Sequence, residues 1–175
     1  TGHVQGITVD TAHEYIYFSF TTKLIKTDMQ GNVIGTVTGL LGHLGCIDFN
    51  DEDGKVYGSL ELKHDSIGQG IMKKLGVEIA EEDSFYVAIF DVDKIDRMDM
   101  DAEKDGVMTA VYLPEVVADY VGKGENGKDH HYACSGIDGM AFGPVFGAPA
   151  NSPHMLMVAY GIYGDNERED NDNNV

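Results

Sequence analysis

One phrase recurs along the chain. It reads His3-Val4-Gln5-Gly6-Ile7-Thr8-Val9-Asp10, then His43-Leu44-Gly45-Cys46-Ile47-Asp48-Phe49-Asn50, then Gly136-Ile137-Asp138-Gly139-Met140-Ala141-Phe142-Gly143. Each copy runs through a turn-rich stretch into a second short apolar segment: Tyr15 to Phe20, Lys55 to Glu61 and Met155 to Tyr160. A strand pair repeated at this scale cannot bury its own faces, so neighbouring repeats must cover one another. That is the requirement a β-propeller meets. The fold class expected is therefore all-β, with about two and a half four-stranded blades of a larger ring.

The blades divide as residues 1–40, 41–122 and an incomplete 123–175. In the first, strands are expected near 5–10, 15–21, 23–29 and 33–38, joined by a Thr11-Ala12-His13-Glu14 corner and a Met29-Gln30-Gly31-Asn32 hairpin. The second has strands near 45–50, 55–62, 85–93 and 107–113 and carries insertions. One insertion holds Ser66-Ile67-Gly68-Gln69, which reads as a capping box, with Ile67, Ile71, Met72 and Leu75 on one face before Gly76. The other opens at Pro114, sets Val117, Tyr120 and Val121 on one side and stops at Gly122. Both read as short amphipathic helices that cover the blade. The third blade has strands near 137–142 and 155–162, then an acidic stretch from Asp165. Because an open ring exposes sheet faces and edges, the remaining blades are expected from a longer protein or from another chain.

These motifs resemble the NHL-repeat and gluconolactonase-like β-propeller superfamily. The likeness lies in the Gly6-Ile7-Thr8-Val9-Asp10 type of first strand, the Tyr-rich strand after it, and Thr27-Asp28-Met29-Gln30-Gly31-Asn32-Val33. It covers residues 1–60 and 136–163, while 61–135 departs from it through the insertions. The resemblance implies the fold and leaves function open among sugar-lactone hydrolases, lyases and binding modules.

Composition narrows the partners. A formal net charge of −18 over 175 residues repels phosphate, which argues against nucleic-acid and anionic-membrane partners. No apolar run approaches the roughly 20 residues needed to span a bilayer. The chain starts almost directly on a strand motif, as after removal of a leader, and an extracellular or periplasmic location is expected. Cys46 and Cys134 each lie at or just before a first strand, and read as buried thiols or as a bridge between adjacent blades.

Propeller topology places the segments leading into first strands, and the loops between second and third strands, on one rim. His3 and His43 are at equivalent positions there, His130 and His131 precede the third repeat, and His64 lies in a second-to-third-strand loop. His13 and His154 belong to the opposite rim. Glu61, Asp65, Asp138 and Asp165 add carboxylates to the histidine rim, Gln5 a neutral oxygen, and Tyr163 a hydroxyl beside Asp165. Imidazoles and carboxylates converging on a channel mouth suit a divalent metal or a general acid/base pair. The alternative is that they cap strands and bond loop carbonyls.

The expected catalytic residues are His43, His64 and Asp138. The ligand-binding residues are Gln5, Glu61, Tyr163 and Asp165, and the metal ligands His3, His43, His64 and His131. Histidines with a Gln at such a mouth look like the manganese sites of propeller-type oligogalacturonate lyases, and manganese, calcium and zinc are the candidate cofactors. An acidic sugar would need Lys23, Lys63 or that metal as its cation. The expected ligand is a small polar, carbohydrate-derived molecule undergoing metal-assisted hydrolysis or elimination; the competing reading is a non-catalytic binding module.

Two further motifs read as structure. Asp99-Met100-Asp101-Ala102-Glu103-Lys104-Asp105-Gly106 alternates acids like a calcium loop but lacks a glycine at its sixth position and a distal bidentate Glu, so a solvated strand-joining loop is expected. Ser19 and Ser59 sit at equivalent second-strand positions, which points to packing, and no Gly-x-Ser-x-Gly elbow is present.

Overall fold

In the computed structural model, residues 2–78, 82–123, 136–161 and 173–174 are described, apart from the side chains of Asp138, Asn173 and Asn174. Among the described residues the protein is mostly β, with three separate sheets, none closed on itself. Strands β1 (Val4–Asp10), β2 (Tyr15–Phe20), β3 (Lys23–Asp28) and β4 (Val33–Thr38) form an antiparallel meander. Strands β5 (His43–Asn50), β6 (Lys55–Leu62), β7 (Ser84–Phe90) and β9 (Met108–Tyr112) form a second one. The third comprises β10 (Gly136–Pro144), β11 (His154–Gly161) and the short β12 (Asn173–Asn174). One feature was not expected from the sequence. The acidic stretch starting at Asp99 supplies β8 (Met100–Asp101), which pairs parallel to β4 as a fifth strand of the first sheet.

The three first strands share one register. Each has a bulge near its start, between Val4 and Gly6, Leu44 and Ile47, and Ile137 and Gly139. Counting from the cross-strand pairs, His3, His43 and Gly136 are equivalent, as are Thr8, Asp48 and Ala141, and Thr21, Glu61 and Gly161.

The same equivalence governs contacts between sheets. Leu44 N–H donates to the Thr21 carbonyl at 2.8 Å, and Phe49 N–H to Thr8 Oγ1 at 3.0 Å. One sheet further on, Ile137 N–H donates to Glu61 Oε1 at 2.5 Å and Phe142 N–H to Asp48 Oδ2 at 2.7 Å. At both junctions, the first strand of one sheet thus gives two amide protons to the same two positions of the sheet before it. Thr8 Oγ1 also donates to Asp48 Oδ1 at 3.2 Å, and Ser19 Oγ to the Gly45 carbonyl at 2.6 Å.

Apolar packing follows the pleat. Between the first and second sheets lie Tyr17, Leu24, Val37, Leu44, Phe49, Val56 and Leu60, with the Tyr17 and Phe49 rings stacked at 6.1 Å. Residues 91–107 wrap this core with Val92, Ile95, Met100 and Val107. Buried Lys26 holds that wrap by donating from Nζ to the Val92 carbonyl at 2.8 Å, its ammonium 4.3 Å from the centre of the Tyr15 ring. Between the second and third sheets, Phe85, Tyr120, Ile137 and Tyr160 form a smaller cluster, and Tyr57 meets Phe142 edge-on at 4.8 Å. Ser19 and Ser59, both fully buried, sit inside these junctions.

Both insertion helices form, with two corrections. Helix α1 (Ser66–Leu75) is capped by Asp65, whose carboxylate accepts from Ile67 N–H and Gly68 N–H, so the cap is one residue earlier than the Ser66 box. Gly76 closes it in the left-handed conformation that glycine adopts without a Cβ penalty. Helix α2 (Pro114–Tyr120) buries Tyr120, whereas Val121, expected on the same side, is 58% exposed. Seven residues make barely two turns, and Val121 has already passed beyond the buried stripe.

Asp48 is the test of this architecture. Asp48→Ala leaves the Phe142 amide without its acceptor, at about 1–3 kcal/mol for one orphaned buried N–H. We expect denaturant melts to show a loss in that range for Asp48→Ala and a smaller one for Asp48→Asn, which keeps one oxygen. Equal stability of Asp48→Ala and the parent would remove the inter-sheet bond from the account.

Candidate functional site

At the ends of the sheets where β1, β5 and β10 begin, the chain places His3, His43, Glu61, Lys63, His64 and Asp65. His13 and His154 lie at the other ends, in or beside the turns joining first to second strands. His43 opens β5 directly opposite Glu61 on β6, so the meander itself sets these two side by side. His43, Glu61, Lys63, Asp65, Ile67 and Gly68 line a recess of about 90 Å³. The start of α1 forms one wall of it, which is how the insertion takes part.

The electrostatics follow from burial. His43 is held below the usual imidazole range by burial first and by the Lys63 ammonium second, with Asp65 opposing and His3 adding slightly. Its ring is therefore neutral near pH 7 and offers a lone pair. Lys63 Nζ stands 3.5 Å from Glu61 Oε2 and 3.9 Å from Asp65 Oδ2. Glu61 has a structural task as well, since its Oε1 takes the Ile137 amide. Gly136 exists for this contact, because a Cβ there would lie 2.6 Å from Glu61 Oε1.

The remaining expected residues are dispersed. His64 turns to Asp83, whose Oδ1 accepts from the His64 backbone N–H at 2.6 Å and lies 3.2 Å from its Nδ1. It does not line the recess with His43. His3 pairs with Gln5 through Nε2 atoms at 3.1 Å. His131, Tyr163 and Asp165, together with the side chain of Asp138, lie outside the described residues. Among the described residues, no three of His, Cys, Asp and Glu gather as metal ligands. A dication beside His43 would also face the Lys63 ammonium, itself beside the Glu61 and Asp65 carboxylates.

Other expectations are placed as follows. Asp101 Oδ1 caps its own turn by accepting from Glu103 and Lys104 N–H, Asp105 Oδ2 accepts from Asp101 N–H, and Asp99 pairs with Lys23 at 2.8 Å. Cys46 is a free, half-buried thiol 3.4 Å from Ser59 Oγ, with burial pushing it up, while Cys134 lies outside the described residues. Asp83 and Tyr160 were not singled out by sequence reasoning. Asp83 has no motif around it, and only the tertiary fold carries it back over the loop to His64. Tyr160 is buried beside Phe85, and its hydroxyl has no hydrogen-bond partner among the described residues.

A larger recess of about 490 Å³ opens at the opposite end, lined by the Asn50, Asp51 and Glu52 turn, by Asn151, Ser152 and His154, and floored by Val9 and Phe142. Compared with known proteins, the chain matches no family model, no curated protein and no solved structure.

The lowered His43 has a stability consequence. The unfolded chain binds a proton at His43 near pH 6.5, and the folded chain only at lower pH. Stability from this group is therefore complete above about pH 6.5 and declines as pH falls toward the folded midpoint. His43→Gln should flatten that part of the curve when unfolding is measured between pH 7.5 and 5. Lys63→Gln should raise the His43 midpoint in an NMR titration while leaving it under 6.5, because burial is the larger cause. A midpoint at or above 6.5 in the parent protein contradicts the site electrostatics. Gly136→Ala should cost about 1–3 kcal/mol through the clash with Glu61, read by thermal unfolding.

Proposed function

We propose that the three sheets are consecutive blades of a β-propeller, and that the rim carrying His43 binds a small polar, carbohydrate-derived ligand. The blade reading rests on the inter-sheet hydrogen bonds, which recur in the same phase at both junctions. A single rotation that carries the first sheet onto the second and the second onto the third accounts for that recurrence, and successive application of such a rotation builds a ring.

The ligand reading is carried by one observation: the His43 imidazole, held below its usual range by burial, lies in a recess beside an ammonium and a buried carboxylate. About 90 Å³ is the volume of about three water molecules, room for one functional group of a larger ligand lying across the rim. His43 would accept a proton from a sugar hydroxyl, from an acidic C–H next to a carboxylate, or from an attacking water. Lys63 would face the negative charge that forms or is already present, and Glu61 would accept a hydroxyl proton. Hydrolysis or elimination of a sugar acid derivative needs this combination of base and cation.

A second reading, a non-catalytic binding module, is favoured by the larger recess at the opposite end. Turnover separates the two. The full chain is assayed for elimination on oligogalacturonides and for hydrolysis of an aldonolactone, in parallel with His43→Ala. Turnover falling about 10²–10⁴-fold in the variant, with an unchanged melting curve, is the expected result. Activity unaffected by the substitution overturns the role given to His43. Binding of these sugars with no turnover by either chain favours the module.

A further inference from the structure

The recess at the end opposite His43 draws its walls from all three sheets. Thr8 and Val9 come from β1, Asp48 from β5, the acids Asp51 and Glu52 from the turn after it, Phe142 from β10, and Asn151 and Ser152 from the turn before β11. Its volume of about 490 Å³ is that of a small-molecule site, which typically measures roughly 300–1,000 Å³. The base is fixed by the sheet junctions themselves, since one Asp48 oxygen accepts from Thr8 Oγ1 and the other from the Phe142 amide.

The mouth is chemically different from the base. The carboxylates of Asp10, Asp28, Asp65 and Asp101 are taken up by backbone amides of their own turns. Among the described residues, those of Asp51 and Glu52 accept no hydrogen bond and form no ion pair. No Lys or Arg lines the recess. Magnesium and calcium need several oxygens on one centre, whereas Asp48, Asp51, Glu52 and His154 do not gather as metal ligands. Their charge is spread instead around a floor that includes Phe142 and Val9, the latter 39% exposed.

We infer that this recess binds a linear aliphatic polyamine. Ammonium groups separated by methylenes reach separate carboxylates, which a compact dication cannot do, and each N–H donated to a carboxylate is a charge-assisted bond. The methylenes between them lie on Val9 and Phe142, where their removal from water adds to the affinity. Asn151 and Ser152 supply neutral acceptors for the remaining ammonium protons. Such binding needs neither turnover at His43 nor any particular number of blades.

Calorimetry and amide NMR of the full chain titrated with spermidine test this. The expected result is one saturable site, with shifts centred on Asp51, Glu52, Asn151 and Ser152 and none at His43. Asp51→Asn combined with Glu52→Gln, both at exposed turn positions, should keep the parent melting curve and weaken spermidine about three- to tenfold. Glu103→Gln, an exposed acid on another turn, should leave the affinity unchanged, and magnesium at matched ionic strength should not displace the amine. At equal charge, 1,6-diaminohexane should bind more tightly than ethylenediamine because it has more methylenes to lay on the floor. A titration that does not saturate, shifts spread over all the acidic turns, an equal loss from Glu103→Gln, or displacement by magnesium would show that spermidine only screens the net charge of −18, and each overturns the site. Equal affinity for the two diamines overturns the aliphatic ligand class. So does a dilysine peptide that binds more tightly than spermidine, which would identify a peptide as the ligand.

Discussion

The rest of the structure depends on what happens to the amides along the open edge of each first strand. In a meander, β5 and β10 pair with only one neighbour, and half their backbone donors face away from it. Buried donors without acceptors are costly. Here the preceding sheet supplies the acceptors: the Thr21 carbonyl and Thr8 hydroxyl for β5, and the Glu61 and Asp48 carboxylates for β10. Because the acceptors sit at fixed register positions, they set how far one sheet is displaced from the next. Apolar packing alone, which has no directional preference, would leave that displacement loose.

The same bonds organise the rim. Glu61 is both the acceptor that holds β10 and a wall of the recess around His43, so the site and the sheet junction share a residue. This gives the recess a side fixed by the sheet junction. Lys63 beside Glu61 and Asp65 completes a group in which the imidazole is the member held neutral. The cap of α1 also belongs to this group, since Asp65 both ends the helix and faces Lys63. Substitutions at Glu61 or Asp65 therefore disturb the sheet junction or the helix cap together with the recess.

Part of the acid serves within turns. Asp10, Asp28, Asp65 and Asp101 all accept backbone N–H groups of the residues that follow them. A short carboxylate bonding the chain two or three residues ahead is a general means of fixing a tight turn. The Asp99–Gly106 loop, which alternates acids in the sequence, is likewise tied to its own backbone through Asp101 and Asp105.

The sequence by itself determined the strands, their turns and their grouping into repeats, because these rest on period-two alternation and on turn residues that act over a few positions. It also placed His3, His43, His64 and Glu61 at one end of the sheets, since that follows from chain direction through a meander. It could not tell which of them meet. His64 turns to Asp83, nineteen residues away in sequence, and His43 meets Lys63 across the mouth of the sheet. Nor could it find β8, two residues whose strand character comes wholly from pairing with β4. Thr8, Asp48 and Ala141 look unrelated as residue types, and only the cross-strand register makes them one position with one task. The tertiary structure decided these points because they depend on the distance between sheets, set by inter-sheet hydrogen bonds and side-chain volume.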